Sequence, residues 1–295
     1  MKSRAFFLLL LVCPLVVCAQ NLYSPGGDHY ERMSKETYDT ACICVFYDLR
    51  FLKDSTKTTD YTECQTVLLI SDKYTSFGDY NRILLDSVND YLAESKKNAK
   101  DKIAREQWDS FISKWKYNIV TMNDLAAGKS KVQIYDILRS YEYTFDTPDM
   151  EWTLVEGDTI INQMPCRKAT GSYAGRQYVA WYAESLPLPY GPYVFGGLPG
   201  LILQLHDTKY NWIFTNTRVG KAVEHKDMYL YRNKFVEPII HTTRREALEA
   251  YRNDIENFDN LSIDVFKVKV MQNGRWVSPE ANRLKRPSNL LELVW

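Results

Sequence analysis

The residues able to do chemistry in this 295-residue chain are scattered, and their spacing decides what each could do. Beyond the first nineteen residues there are four cysteines, Cys42, Cys44, Cys64 and Cys166. Cys42 and Cys44 stand two apart in a strand-like run, so they point to one face and are badly placed to bond each other. In an oxidising compartment their expected partners are Cys64 and Cys166, and the pairings that four cysteines allow stay open. Thiolates can also ligate zinc, but Cys-x-Cys with two distant cysteines lacks the paired Cys-x-x-Cys spacing of structural zinc sites. The histidines His29, His206, His225 and His241 are dispersed. Only His206 has an adjacent carboxylate, Asp207, and neighbours on a strand point to opposite faces, so no metal is expected. No Gly-x-Ser-x-Gly elbow is present. Glu151, Asp158 and Glu184 stay open as carboxylates for glycoside chemistry, with solvated strand ends as their default reading. No catalytic residue and no cofactor is assigned.

One binding constellation is specific enough to state. If Arg176, Trp181 and Tyr193 line the concave side of a curved sheet, the aromatic rings could stack on a sugar or peptide while the guanidinium pairs a carboxylate. The plainer alternative, which is preferred, has Arg176 neutralising a buried carboxylate and Trp181 filling the core. Next to them, residues 187–203 hold four prolines and four glycines. Proline fixes φ and glycine frees it, so this is a loop of defined shape. Its apolar Leu198, Leu201 and Ile202 predict that the second half folds back onto the sheet as a plug. A phosphate cradle is excluded, because Pro199 removes an amide and a strand comes next.

The elements that would position these residues are mostly strands. Alternating apolar residues predict an antiparallel pair over 41–51 and 61–70. The period becomes helical over 79–97, through Ile83, Leu84, Val88, Tyr91 and Leu92, and again from Ile103 to Trp115. Strand character resumes over 131–145, 151–155, 158–162, 166–173, 176–183, 201–206 and 210–219. The short turns between them leave no room for crossover helices, which favours an antiparallel meander. Thr243 and Glu246 make a capping box ahead of a helix whose apolar face is Leu248, Tyr251, Ile255 and Phe258. Asn273-Gly274 then predicts a hairpin between 265–270 and 275–277.

The ends and the charge bound the setting. Lys2 and Arg4 precede an apolar run over 5–17, too short to span a bilayer, that ends in Val17-Cys18-Ala19. This reads as a secretory signal over residues 1–19, cut before Gln20, with a single domain over 20–295. The rival is a lipoprotein box with Cys18 acylated, and Val17 argues against it, since that position takes a small side chain. The mature chain of 276 residues carries 35 Lys+Arg against 37 Asp+Glu. That balance is wrong for a polyanion partner, so nucleic acid is not expected. No second apolar run has membrane-spanning length.

The hexapeptide Gly197-Leu198-Pro199-Gly200-Leu201-Ile202 stands in a wider pattern. It includes Cys166-Arg167-Lys168-Ala169, Gly175-Arg176, Ala180-Trp181-Tyr182, Gly191-Pro192-Tyr193, Phe195-Gly196, Ser76-Phe77 and a terminal Asn289-Leu290-Leu291-Glu292-Leu293. In these residues the chain resembles the GLPGLI family, exported envelope proteins of Gram-negative bacteria with no established reaction. Leu290 replaces the proline of the family's usual ending. The resemblance implies a curved antiparallel sheet, α+β and β-rich, shaped as a bowl or half-barrel with a few helices packed on or in it. A similar bowl precedes the catalytic part of certain secreted peptide-N-glycosidases, and the chain is expected to lack that part. The resemblance also implies a non-catalytic binding or accessory protein of the periplasm or outer membrane, recognising a peptide, lipid or glycan, or assisting an outer-membrane transport protein. The alternative is an envelope hydrolase acting on glycan or peptide. A carrier would hold its ligand in the hollow, a hydrolase would expose carboxylates or a nucleophile there, and a purely structural domain would fill the hollow itself. Oligomeric state stays open.

Overall fold

The computed structural model describes residues 32–95, 102–136, 139–234, 237–258, 261, 270–272, 275–277 and 285–295. The expected leader with Cys18, His29 and the Asn273-Gly274 turn lie outside the described residues. The chain forms β1 (Lys35–Thr40), β2 (Ile43–Leu52), β3 (Tyr61–Ile70), β4 (Tyr74–Asp79), α1 (Tyr80–Glu94) and α2 (Lys102–Lys114). Next come β5 (Ile119–Asp124), β6 (Lys129–Tyr135), β7 (Ser140–Asp146), β8 (Thr153–Ile161), β9 (Met164–Tyr173), β10 (Arg176–Ala183), β11 (Leu201–Asp207) and β12 (Trp212–Lys221). The last elements are β13 (Asp227–Tyr231), β14 (Asn233–Lys234), β15 (Glu237–Pro238), β16 (Ile240–His241), α3 (Arg244–Glu256), β17 (Val270–Gln272) and β18 (Arg275–Val277).

Twelve strands make one sheet in the order β16-β7-β6-β5-β4-β3-β2-β12-β11-β10-β9-β8. It consists of two antiparallel meanders, β2 to β7 and β8 to β12, joined where β12 pairs β2 from Trp212↔Phe51 to Lys221↔Ile43. Only the two-residue β16 runs parallel to its neighbour, β7. The fold class is therefore the expected β-rich sheet, with three helices among the described residues.

How far the sheet curls can be read from one side chain. Strands β7 and β9 are nine steps apart in the order, about 43 Å if the sheet were flat. Yet the Arg244 guanidinium lies 4.4 Å from the ring of Phe145 on β7 and 5.8 Å from that of Tyr173 on β9. The two ends thus come round to face each other. Among the described residues no ladder joins them, so the sheet stays open rather than closing into a barrel.

Side-chain alternation sorts the core into two layers. Val45, Tyr47, Leu49 and Phe51 of β2 point inward and join residues from nearly every strand, together with Ala247 and Leu248 of α3, Phe195, Leu198 and Leu291. Phe46 points the other way, into a second layer with Val67, Leu69, Val120 and Met122. Ile83 of α1 and Met228 to Tyr231 of β13 cover that layer. Burial on both faces explains the uninterrupted apolar run of Val67 to Ile70 in β3.

Three expectations need correction. The run over 131–145 is two strands, because the chain reverses where the Asp136 amide donates to the Arg139 carbonyl, 3.0 Å. The stretches 151–155 and 158–162 are one strand, β8, whose register slips between Val155 and Asp158. The expected disulfides are absent, since Cys42, Cys44, Cys64 and Cys166 are all free thiols. Cys44 faces Leu69 and Cys64 faces Leu49. The two sit five residues apart along the ladder, about 17 Å, far beyond bonding reach. Cys166 belongs to β9, four strands away from β2.

Candidate functional site

The family-motif loop is the first part of the site, and backbone bonds set its shape. After β10 the amide of Leu186 donates to Ala183 O, that of Gly197 to Pro189 O, and those of Leu201 and Ile202 to Leu186 O and Tyr190 O. The loop therefore doubles back on itself before β11. Gly200 lies so close to β10 that a Cβ there would meet Ala183 O at 2.2 Å, and Gly197 adopts φ +86°. Between these turns Tyr193, Val194, Phe195 and Leu198 are buried in the inner layer. The predicted plug exists, and it begins earlier than the apolar residues first suggested, at Tyr193. Tyr193 holds φ 60°. Its carbonyl accepts Thr121 Oγ1 and Asn123 Nδ2 of β5.

The second part is the C-terminal segment, 288–295, which threads the same interior. Glu292 is buried. Its Oε1 accepts the hydroxyls of Tyr173 at 2.9 Å and Tyr193 at 2.5 Å, and its Oε2 accepts Nε and Nη2 of Arg244 at 3.0 and 2.8 Å. Burial, then the neighbouring carboxylate, push the hydroxyls of Tyr173 and Tyr193 well above the ordinary phenol range, so both remain protonated donors. Alongside, Arg176 pairs Asp207 at 3.3 Å and donates to Asn289 Oδ1, Leu290 O and Leu291 O. Asp207 also accepts the amide of Trp212 and the side chain of Asn211.

Arg176 and Tyr193 are thus brought together, both against the C-terminal segment. Trp181 is not with them. On β10 the residues Arg176, Tyr178, Ala180 and Tyr182 are buried, while Trp181 falls on the alternate side and is half-buried. It faces Lys168 of β9 and Gln204 of β11 across the ladders, and Lys168 Nζ lies 5.5 Å from its ring. Glu184 pairs the exposed Arg167 at 3.2 Å, Asp158 stands opposite Arg167 in the β8–β9 ladder, and Glu151 is exposed. His206 stacks on Tyr210 with centroids 4.5 Å apart, His225 meets Tyr80 edge-on, and His241 contacts Glu142 at 3.1 Å. Among the described residues no three His, Cys, Asp or Glu gather as a metal site.

Sequence reasoning missed a second polar centre, on the other face of the sheet. Asp86 of α1 is buried and accepts the hydroxyls of Tyr229 and Tyr231 of β13, with the Arg82 guanidinium 3.5 Å away. Burial pushes the Asp86 carboxyl up, against the pull of Arg82 and Lys35. Next to it opens a cavity of about 280 Å³ lined by residues that include Lys35, Asp90, His225 and Tyr229. The available signal was the Arg82/Asp86 spacing, i and i+4 on one helix face.

No protein-family model matches the chain. No curated protein matches it. Twelve chains of solved structures do. A structure of PNGF-II in space group C2 aligns with 79% of this chain and 35% of that one, at 12% identity and a TM-score of 0.45. A second, in space group P21, aligns with 71% and 32%, at 12% identity and a TM-score of 0.43. The chain spans about a third of the length of those proteins. Likeness at this level transfers no residue role and no activity.

Proposed function

We propose that this chain is an exported, non-catalytic recognition or accessory module of the cell envelope, of the GLPGLI type. The observation that supports its non-catalytic half is the filling of the hollow, which also removes the internal site a carrier would use. Motif loop, α3 and C-terminal segment occupy the inner layer, and the acids found there already hold their partners. Glu292 receives four hydrogen bonds and Asp207 faces Arg176, which is the arrangement of structural ion pairs rather than of a carboxylate waiting for water. A ligand is then recognised from outside the sheet, where most of β8 is exposed and Lys168 and Trp181 are half-buried. No helix among the described residues is long and apolar enough to cross a membrane. The partner in this reading is a peptide, lipid or glycan, or an outer-membrane transport protein.

The test is incubation of the mature protein with envelope glycan and with glycopeptide, read by mass spectrometry, beside affinity capture from envelope extract. Unchanged substrates with a transport component co-purifying is the expected result. Turnover of either substrate would establish the hydrolase instead.

A further inference from the structure

The two edges of the large sheet are finished differently. At one, β16 lies on β7, and the amide of Thr242 continues the contact by donating to Glu142 O at 3.0 Å. At the other, β8 pairs only with β9, and among the described residues no backbone hydrogen bond reaches 153–161 from anywhere else. Nine residues long, β8 exposes most of its side chains, including Leu154 at 59% and Ile160 at 73%. A bare, accessible edge with apolar side chains is a template for another strand.

The charged residues of β8 itself are both acidic. From residue 140 to 166 the chain has six acidic residues and no Lys, Arg or His. Glu142 and Asp146, on β7, have cationic neighbours in Lys131 and Lys129. Glu156 and Asp158, on β8 itself, are exposed and form no ion pair among the described residues: Arg167, opposite Asp158 in the ladder, is held by Glu184 instead. Carboxylates on an edge disfavour neutral strands by their desolvation cost and acidic strands by repulsion, and of the possible partners they favour one that carries lysine or arginine.

We propose that the free edge of β8 docks an extended, lysine- or arginine-bearing segment of a partner protein as an added strand, with Glu156 and Asp158 meeting its basic residues and Leu154 and Ile160 its apolar ones. Main-chain hydrogen bonds hold the segment, and the charges choose it. This rests on the recognition reading above and names the partner's chemistry.

The experiment uses the mature protein and a capped decapeptide that alternates lysine with valine and threonine, beside the same peptide with glutamate for lysine and a version N-methylated at alternate residues. Amide hydrogen exchange across the chain, fluorescence of Trp152 and Trp181, and the intact mass of the peptide are read together. The expected result is slowed exchange confined to 153–161 with the lysine peptide alone, weakened at high salt. Binding should fall at least tenfold in E156K/D158K, whose thermal unfolding matches the wild type. Equal binding of the lysine and glutamate peptides, protection elsewhere, or no binding of any peptide overturns the docking strand and leaves the recognition reading standing. Cleavage of the peptide would instead overturn the recognition reading.

Discussion

Arg244 donates twice to Glu292, and this one ion pair ties the first residue of α3 to the C-terminal segment between the two ends of the curled sheet. Phe145 and Tyr173 lie against the same guanidinium. Removing Glu292 therefore does more than delete a surface charge. It leaves the partly exposed Arg244 and two buried tyrosine hydroxyls without this acceptor.

Glu292→Gln should destabilise the fold by about 3 kcal/mol, the order found when one member of a buried pair is removed. Urea unfolding of the mature protein checks this. A midpoint within error of the wild type would show that the C-terminal segment is not seated on α3.

Two glycines of the motif loop should respond differently to alanine. At Gly200 a Cβ would stand 2.2 Å from Ala183 O, so strand and loop must separate, and a loss of about 3 kcal/mol or more is expected. At Gly197 nothing lies within 4 Å, and only the left-handed backbone resists, at about 1–2 kcal/mol. Thermal unfolding of the two variants side by side gives the ranking.

Arg176→Met leaves Asp207 buried without its cation and should cost roughly 3–5 kcal/mol. Trp181→Ala, on the alternate side of the same strand, should cost clearly less, about 1–2 kcal/mol, because the ring is only half-buried. Chemical unfolding separates the two, and equal losses would mean that Trp181 is a core residue.

Acid should loosen α3 at its start. Hydrogen bonds from Thr242 and Thr243 hold the Glu246 carboxyl below its ordinary value of 4.5. A depressed folded-state value means that the cap stabilises above that value and is lost as the pH falls through the lower one. Amide exchange of α3 should therefore speed up only below about pH 4.5. In Thr243→Ala the same loosening should be present already at neutral pH, with a loss of about 1 kcal/mol.

In the protein without residues 1–19, the four thiols of Cys42, Cys44, Cys64 and Cys166 should titrate in denaturant without any reductant, and reductant should leave thermal unfolding unchanged. In the native protein exposed Cys42 should react first and buried Cys166 last. Burial and the Asp79 carboxylate raise the Cys64 thiol, which slows it too.

Strand character, meander topology and the α3 capping box were legible because each is written in a short window: alternation in β3 and β10, short turns between β8 and β12, Thr243 with Glu246 three residues on. The reversal between β6 and β7 was not, since alternation runs on through it. The site was half legible. Proline and glycine spacing marked the motif loop, and Arg176 beside a buried acid is the expected answer to the cost of an unpaired interior charge. Glu292 carried no local signal, because its partners Tyr173, Tyr193 and Arg244 come from three distant elements. Asp86 was hidden by the habit of assigning charged helix residues to solvent, although Tyr229 and Tyr231 cover it.

The seam between the meanders also dictates an order of events. Phe46 pairs with Arg218, 172 residues later, so contacts along the middle of the sheet are among the least local in the molecule. A chain made from its N-terminus at about 5–20 residues per second holds the second edge of β2 unpaired for on the order of 10–30 s, until β12 arrives. During that interval Val45, Tyr47 and Leu49 sit beside an open ladder, and any holdase that shields nascent chains has its target there. Aggregation through that open edge then competes with the docking of β12.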